Sequence, residues 1–479
     1  MSYKISYELD QLLEALVGRE KQLIYDQIDK PLPHTIRFNP LKGAIAALQD
    51  LLIEQGFRFE AIEGFDNAFR IIYQPYPIGK SLSHYLGHIY VQDIASMLPP
   101  LVLNPRPGEW VLDMSAAPGS KTTQIATLME NRGVIFANDI VMKRIRSLAS
   151  NLERLGIVNT AIFKLFGEQI GNQYFETFHR VLLDPACTGL GTLHKSPEVL
   201  TWWTPHHCER MASGQKGLIA SAIRALRPGG VLCYSTCTLT PQENEEVIDY
   251  ALKEFPVELE EISLPGLELR SGLTAFHKKR YHPSLEKACR VYPFHNETEG
   301  FFIAKMRKTA KMKKAAPKKT RNRIRVPFLS SRTSPAKKYL DFLVDHFQIS
   351  GEAFSEFGYL MQQNIIFSDK ELLNFPFYHR PVQCGLVAGR QMTHGAKLTT
   401  GGVHLLGYHA RQNIFEISSL EELEKFVNRE PTGIKLDGKG QVIVKHKDCP
   451  IGYGLADNGI LKSQFPKGNW PFKLLTEAK

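Results

Sequence analysis

The chain of 479 residues is too long for a single hydrophobic core, so its length predicts two to four domains. A net charge of +10 favours a polyanionic partner such as nucleic acid, although a generally basic soluble protein would have the same composition. Seven sparse cysteines without a C-x-x-C pair argue against a disulfide framework or zinc site, and the absence of long apolar runs argues against a membrane span.

The first 75 residues are predicted to form a small α+β unit. Apolar residues at helical spacing open the chain, and a strand-like piece at 35–40 precedes a helix at about 45–55. The stretch after it, up to Tyr73, is rich in strand-forming residues. Beyond this unit, a short strand at 87–93 is predicted to lead into a helix that ends at Pro99-Pro100.

Strands and helices alternate through the next two hundred residues. This order is typical of a doubly wound, mostly parallel sheet, in which ligands bind outside the carboxyl ends of the strands. Asp113, Asp139 and Asp184 each fall at such an end, and a helix N-cap is the alternative for any one of them. The predicted strands are Trp110–Asp113, Val134–Asn138, Ala161–Leu165, Val181–Asp184 and Gly230–Ser235.

The stretch WVLDMSAAPGSKTT, residues 110–123, is the predicted ligand loop. An apolar strand ends in Asp113, small residues form a turn, and a helical pattern begins near Lys121. Such a loop lets a ligand approach backbone N–H groups closely. It lacks both the phosphate-loop and the G-x-G-x-x-G patterns, so a ligand with a carboxylate and a nucleoside, such as S-adenosylmethionine, fits it better. An ordinary βα turn is the alternative interpretation.

Two cysteines follow other strands of the same unit. Cys187 lies in LDPACTG after the strand that ends in Asp184, and Cys237 lies in YSTCT after the next strand. A free cysteine is most often a small buried hydrophobic residue. Two of them at carboxyl ends of strands, beside a predicted cofactor loop, favour a reactive role.

The last third of the chain changes character. Residues 305–325 contain eleven Lys or Arg and no acidic residue, which is typical of a linker or a phosphate-binding arm. A helical segment is predicted at about 335–370, and short β-rich pieces from Phe377 onwards predict a small β-rich module. The predicted limits are an RNA-binding module at 1–75, a catalytic domain at 76–308, the linker and helical segment at 309–370, and a second RNA-binding module at 371–479.

The motifs DMSAAPGSKTTQIA, DPACTG, YSTCTLTPQENEEVI and RVYPFHNETEGFFIAKM resemble those of the Nop/Sun-type RNA (cytosine-5)-methyltransferases, in the same order and spacing. The resemblance covers about residues 30–308. GRQMTHGAKLTTGGVHLLG and GYGLADNGILKSQFPKG resemble, more weakly, the PUA-like extension of bacterial small-subunit rRNA members. The resemblance implies a Rossmann-like methyltransferase fold with a small α+β N-terminal domain and a β-rich PUA-like C-terminal domain.

The resemblance also implies the chemistry. Cys237 would attack cytosine C6 as a thiolate, Cys187 would assist product release, and Asp184 would hydrogen-bond or protonate N3 as a general acid. Lys121 or the cofactor sulfonium would favour the thiolate. The resemblance further implies binding of S-adenosylmethionine by Asp139, at the ribose hydroxyls, and by the loop residues Ser115, Ala116, Ala117, Pro118, Gly119, Ser120 and Lys121, with Asp184 adjoining.

Phe166 departs from the family pattern, which often has an Asp near the adenine amino group. Adenine recognition is therefore expected to depend on stacking and backbone groups. We expect a cytoplasmic, monomeric enzyme without a metal that forms 5-methylcytosine, with 16S rRNA as the first substrate. The alternatives are tRNA or large-subunit rRNA as substrate, a non-catalytic RNA-binding assembly factor, and a methyltransferase of small molecules or protein.

Overall fold

The computed structural model describes residues 5–264, 266–314, 322–361, 363–392, 395–436 and 439–467. Residues 315–321 of the predicted basic segment, and the end of the predicted C-terminal module, lie outside these ranges. Within them, no helix combines the length and apolarity that a membrane crossing requires.

The N-terminal part of the chain forms helices around an antiparallel sheet of order β2-β3-β1-β4. Because β4 belongs to this sheet, the sheet extends beyond residue 75, while the domain limits themselves stay a prediction. The bounds in chain order are α1 (Tyr7–Val17), α2 (Lys21–Asp26), β1 (Thr35–Phe38), α3 (Ile45–Glu54), β2 (Arg58–Ala61), β3 (Ala68–Tyr73), α4 (Leu82–Tyr85), β4 (Ile89–Val91) and α5 (Ile94–Leu103).

Helix α5 continues through Pro99 and Pro100, so the prediction that these prolines end the helix is wrong. Pro100 has no N–H to donate to the carbonyl of Ser96. The Nε2 atom of Gln92 donates to that carbonyl instead, at 3.0 Å, so the interrupted helix bonding is replaced by a side chain. The helix ends only where Asn104 adopts a left-handed backbone conformation.

The central part of the chain is an α/β unit. Its strands and helices alternate up to β9, as predicted, and are followed by short antiparallel strands. The bounds are β5 (Trp110–Asp113), α6 (Ser120–Leu128), β6 (Val134–Asn138), α7 (Met142–Leu155), β7 (Thr160–Phe163), α8 (Gly167–Gln173), β8 (Phe178–Leu183), α9 (Val199–Trp202), α10 (Pro205–Ala225), β9 (Leu226–Thr236), α11 (Glu245–Glu254), β10 (Val257–Glu260), β11 (Arg270–Ser271), β12 (Ala275–Phe276), β13 (Lys279–Arg280), β14 (Cys289–Val291), α12 (Pro293–Asn296) and β15 (Phe301–Lys308).

The centre of the sheet is parallel, in the order β7-β6-β5-β8-β9. This confirms the predicted doubly wound sheet. The connections reverse direction between β5 and β8, and ligands bind at such a switch point. The strand β15 adds to β9 in antiparallel orientation, which the sequence pattern did not predict.

Apolar residues on both faces of the sheet form the core, because helices cover both sides. All five residues of β6, for example, are buried. Helix α7 packs on the sheet through Ile145, Leu148 and Leu152, and Gly156 ends it as its C-cap, with a left-handed φ of 76°.

The C-terminal part contains two further sheets, of order β16-β17-β19-β20 and β21-β22-β23-β24, while β18 pairs with β7 at the edge of the central sheet. The PUA-like, β-rich prediction is thus confirmed. The bounds are α13 (Ser334–Phe347), β16 (Phe357–Met361), β17 (Asn364–Asp369), β18 (Gln383–Cys384), β19 (Leu386–Met392), β20 (Gly395–Leu398), α14 (Thr400–Leu406), β21 (Ile414–Ile417), α15 (Leu420–Asn428), β22 (Gly440–His446), β23 (Cys449–Asp457) and β24 (Ile460–Ser463).

The helix predicted over 335–370 ends at Phe347, so its second half was wrong. Residues from Phe357 to Asp369 form two paired strands instead. Their sequence is rich in aromatic and β-branched residues, which pack well on a half-buried sheet. The last sheet shares a core with the N-terminal sheet, in which Phe426 and Phe465 pack with Leu48 and Leu52.

Candidate active site

The predicted ligand loop lies at the carboxyl end of β5. Ala116 N–H donates to the carbonyl of Asn138 at 2.8 Å, so the loop is bonded to the end of the neighbouring strand β6. Gly119 has φ of 112°, which disfavours any side chain there. Pro118 is exposed and follows a cis peptide bond, and helix α6 begins after it, at Ser120.

Asp113 lies beneath this loop and is buried. Thr122 donates a hydrogen bond to its Oδ2 at 2.7 Å. Burial raises the pKa of Asp113 to about 7, although the Thr122 hydroxyl and the Lys121 charge act in the opposite direction. Asp113 therefore connects the end of β5 to the start of helix α6 through its hydrogen bond with Thr122.

Asp139 follows β6 and is also buried. Its Oδ1 accepts a hydrogen bond from Val141 N–H at 2.9 Å, and its Oδ2 lies 3.5 Å from the Arg144 guanidinium. Ile140 and Phe166, which follow β6 and β7, are 53% and 64% exposed. The carboxyl edge of the sheet thus presents a buried acidic group and two exposed apolar side chains.

The two cysteines meet at the carboxyl ends of β8 and β9. The Sγ atoms of Cys187 and Cys237 are 3.2 Å apart, and both residues are partly exposed. The other five cysteines are buried free thiols. The hydrogen bond with Cys237 is the largest cause that raises the pKa of Cys187 well above its ordinary value, and burial adds to it.

Lys121 and Asp184 form an ion pair beside the thiols. The Lys121 Nζ lies 2.7 Å from Asp184 Oδ2, and Ser235 donates to Asp184 Oδ1 at 2.8 Å. Burial acts to lower the pKa of Lys121, but the charges of Asp184, Cys237 and Asp113 outweigh it and leave that pKa raised. Lys121 is therefore a fixed ammonium group between Asp184 and Cys237.

A second acidic pair lies nearby. Asp93 accepts a hydrogen bond from the Thr298 hydroxyl at 2.6 Å, and burial raises its pKa. Burial and the Asp93 charge raise the pKa of Glu299 to about 7. Lys195 Nζ lies 3.7 Å from Glu299. Sequence reasoning missed Glu299.

Sequence reasoning also missed the acidic run Glu243-Asn244-Glu245, whose members are all fully buried behind the cysteine loops. Glu245 forms an ion pair with the buried Arg290. Three consecutive polar residues at the start of a helix look like an exposed first turn, so only their place shortly after the Ser-Thr-Cys stretch signalled an inner role. In the described part of the chain, no group of three or more His, Cys, Asp or Glu residues is placed to hold a metal.

Solved structures with a similar fold identify the class of protein. The chain is 38% identical to a methyltransferase homologue from Pyrococcus horikoshii, with a TM-score of 0.57 over 62% of this chain and 93% of that one. NSun6 from P. horikoshii, solved with SFG, is 25% identical, with a TM-score of 0.56 over 64% of this chain and 99% of that one. The central part of the chain is therefore a methyltransferase fold.

Sequence relatives identify the family. The family described as 16S rRNA methyltransferase RsmB/F matches residues 100–307, and the Methyltransferase RsmF PUA domain matches residues 412–469. The ribosomal RNA small subunit methyltransferase F of Vibrio parahaemolyticus is 31% identical over 91% of both chains. The tRNA (cytosine(49)-C(5))-methyltransferase of Pyrococcus abyssi is 39% identical over 64% of this chain and 99% of its own. The chain belongs to the RNA (cytosine-C5)-methyltransferase family.

Proposed function

We propose that this protein transfers a methyl group from S-adenosylmethionine to C5 of a cytosine in 16S rRNA. The observation that carries the proposal is the pair of thiols, 3.2 Å apart, next to the ion pair of Lys121 and Asp184. Cytosine C5 is a poor nucleophile, and addition of a thiolate to C6 makes it enamine-like. The site offers the thiol, a cation and a carboxylate that this chemistry requires.

The loop and its neighbours fit the methyl donor. The Asp139 carboxylate is buried at the end of β6, where a ribose would reach it, and it has one oxygen free of the backbone. Ile140 and Phe166 are exposed apolar groups on the same edge and would cover an adenine ring by stacking. When bound, S-adenosylmethionine supplies an electrophilic methyl group. Ser115 to Lys121 would enclose its methionine part.

In the proposed reaction, Cys237 attacks C6 as a thiolate that the Lys121 ammonium stabilises. The Asp184 carboxylate, which lies 2.7 Å from the Lys121 ammonium, takes up the proton that the Cys237 thiol loses and passes it to cytosine N3 as C6 is attacked. After C5 has been methylated, it still carries its hydrogen. Cys187 then assists the release of the product by removing that proton.

The preference for 16S rRNA is supported by relatives of matching length. Relatives named ribosomal RNA small subunit methyltransferase F align with 91% of this chain, including its C-terminal sheets. The tRNA enzyme of P. abyssi aligns with only 64% of it, so tRNA is the second candidate substrate. Methyl transfer into reconstituted small ribosomal subunits, free 16S rRNA and tRNA transcripts, compared under one set of conditions, separates the two.

Covalent trapping tests the proposed chemistry. The variant Cys187→Ala should retain the attack but lose the release, so it should accumulate an RNA–protein adduct that survives denaturing electrophoresis. Cys237→Ala should form neither the adduct nor 5-methylcytosine. An active Cys237→Ala variant would contradict the assignment of the nucleophile, and complete inactivity of the parent on every RNA would favour a non-catalytic assembly factor.

A further inference from the structure

Glu243 is a fully buried acidic residue that lies just before helix α11. Its carboxylate accepts hydrogen bonds from Thr188 N–H at 3.0 Å, Gln215 Nε2 at 3.1 Å and the Thr240 hydroxyl at 2.8 Å, and a further bond from the Thr188 hydroxyl. All four partners are donors to oxygen, which is the bonding pattern of an ionised carboxylate. A buried charge with this many donors is held in one position.

These bonds reach both cysteine loops. Thr188 is the residue after Cys187, and its hydroxyl lies 2.9 Å from the hydroxyl of Thr238, the residue after Cys237. Gln215, which also donates to Glu243, donates to the carbonyl of Ala186 at 2.9 Å. One carboxylate therefore fixes the residues on both sides of Cys187 and, through Thr188 and Thr238, the loop of Cys237.

The backbone adds a second connection between the loops. Gly191 N–H donates to the carbonyl of Cys237 at 2.9 Å. A Cβ atom on Gly191 would lie 2.0 Å from the carbonyl oxygen of Gly300, so only glycine fits there. This contact holds Gly191, four residues beyond Cys187, and leaves the position of Cys187 itself to the bonds of Glu243.

We propose that Glu243 is a positioning residue that sets the distance between the two thiols and thereby serves product release. The proposal rests on the proposed function, in which Cys237 attacks and Cys187 assists release. Attack needs only Cys237, whereas release needs both sulfur atoms at the same base. Loss of the Glu243 bonds should therefore affect release more than attack.

The release step balances as follows. Cys187 first gives its thiol proton to solvent, since its side chain is partly exposed. The resulting thiolate takes the proton from C5, and the electrons of the C5–H bond form the C5–C6 double bond. The bond from C6 to the Cys237 sulfur breaks, and its electron pair returns to that sulfur as a thiolate.

The charges around the two sulfur atoms agree with attack by Cys237 and proton removal by Cys187. Lys121 interacts electrostatically with Cys237, whose charge helps to raise the lysine's pKa. Cys187 has the hydrogen bond to Cys237 as the main cause of its raised pKa, and burial and the negative charge of Glu243 add to the rise. A thiol with a raised pKa is a weak nucleophile at neutral pH, but its thiolate is a stronger base for the C5 proton.

The variant Glu243→Gln tests the proposal in the full-length protein. Its amide nitrogen cannot accept hydrogen bonds, so either the bonds from Thr188 N–H and Gln215 are lost or the Thr188 and Thr240 hydroxyls must reverse direction. We expect accumulation of the covalent RNA adduct, a multiple-turnover rate lowered by at least about tenfold, and single-turnover methyl transfer within about threefold of the parent. The KM for S-adenosylmethionine should not change.

Matched variants separate positioning from folding. Thr188→Ser keeps both donors and should behave like the parent, whereas Thr188→Val loses only the hydroxyl and should accumulate adduct to a smaller extent. Glu246→Gln, three residues after Glu243, removes an ion pair with the exposed Lys279 and should leave turnover unchanged. If Glu243→Gln does not fold, Thr188→Val and Thr188→Ser still decide the question.

Three results would overturn the proposal. These are normal turnover without adduct, a loss of single-turnover transfer equal to the loss of turnover, or a lowered unfolding midpoint with unchanged kinetics at low temperature. The control for the underlying chemistry is Cys187→Ala. If that variant forms adduct and Glu243→Gln does not, only the role of Glu243 is wrong. If neither forms adduct, the proposed function is wrong as well.

Discussion

The ammonium group of Lys121 lies 2.7 Å from the carboxylate of Asp184, and both residues lie at the carboxyl edge of the parallel part of the central sheet. Lys121 also contacts the face of Phe301, with its Nζ 5.4 Å from the ring centroid. The pair comes from the first helix after β5 and from the end of β8, which are the two sides of the switch point. The loop predicted to hold the cofactor thus leads into the ammonium group that, in the proposed reaction, stabilises the Cys237 thiolate.

Lys121→Met should therefore abolish more than cofactor binding. We expect kcat to fall by about 10²- to 10⁴-fold, since the ammonium group both stabilises the thiolate and holds in place the Asp184 carboxyl group that passes the proton to N3. Methyl transfer from labelled S-adenosylmethionine measures this directly. Lys253→Met, which removes an exposed ammonium group that pairs with the buried Asp249, is the matched control and should keep full activity. A larger KM for the cofactor with normal kcat would contradict a role of Lys121 in thiolate stabilisation and proton transfer.

Phe166→Ala should weaken binding of the cofactor without destabilising the protein. The ring is 64% exposed, so its removal leaves no cavity, and the loss of one stacking contact of about 0.5–1.5 kcal/mol corresponds to a few-fold rise in Kd. Calorimetric titration with S-adenosylmethionine checks the prediction. Tyr7→Ala removes another exposed aromatic ring, distant from Phe166 in the sequence, and should leave the Kd unchanged. An unchanged Kd in Phe166→Ala would show that the ring does not cover the adenine.

Mild oxidation should inactivate the protein reversibly. The Cys187 and Cys237 sulfur atoms are already 3.2 Å apart, so a peroxide that oxidises one thiol to a sulfenic acid leaves the other in reach to form a disulfide with loss of water. Peptide mapping should find this crosslink, and dithiothreitol should restore activity. Cys187→Ala, which cannot form the crosslink, serves as the control. A crosslink that involves the buried Cys233 instead would contradict the prediction.

The sequence pattern predicted the parts of the site that depend on strand order. Asp113, Asp139, Asp184 and Cys237 follow strands of a parallel sheet, and parallel strands bring their carboxyl ends to one edge. The polar groups behind the loops were not predictable in this way. Glu243 becomes buried only because the loops after β8 and β9 fold over it, and that contact joins residues 55 positions apart.

Two predictions were wrong for a related reason: the end of helix α5 at its prolines, and the second half of the predicted helix at 335–370. A proline normally ends a helix. Here the side chain of Gln92, the residue after β4, donates to the Ser96 carbonyl that Pro100 leaves without a backbone partner. Residues 357–369 contain apolar residues that match either period in short windows. Their pairing with each other and with β19 decided the outcome, and pairing is a long-range property.

Lys42→Met should stabilise the protein in a manner that depends on pH. The Lys42 ammonium is buried, and within the described part of the chain its Nζ has no hydrogen-bond partner. Burial and the charge of Arg154 lower its pKa from 10.5 to about 7. The neighbouring His88 and His404 are also buried, and burial lowers the pKa of each, so they add no positive charge at neutral pH.

The sign follows from the lowered pKa. Above pH 10.5 Lys42 is neutral in both the folded and the unfolded state and has no effect on stability. As the pH falls towards 7, only the unfolded state takes up the proton, so folding stability is lost progressively. Lys42→Met should therefore raise the free energy of unfolding at pH 7 by on the order of a few kcal/mol, and by less at pH 9.5. Urea unfolding at both pH values measures the difference, and an equal gain at both would contradict it.

The salt dependence of RNA binding tests the basic segment that follows the catalytic sheet. Lys311, Lys313 and Lys314 are exposed, and each phosphate that they neutralise would release counterions. Replacing all three with Gln should reduce the slope of log K against log salt by about 2 to 3 and weaken binding mainly at low salt. The matched control replaces Lys253, Lys279 and Lys425, which already pair with carboxylates, and should keep the parental slope. A parental slope in the first variant would mean that the segment is only a linker.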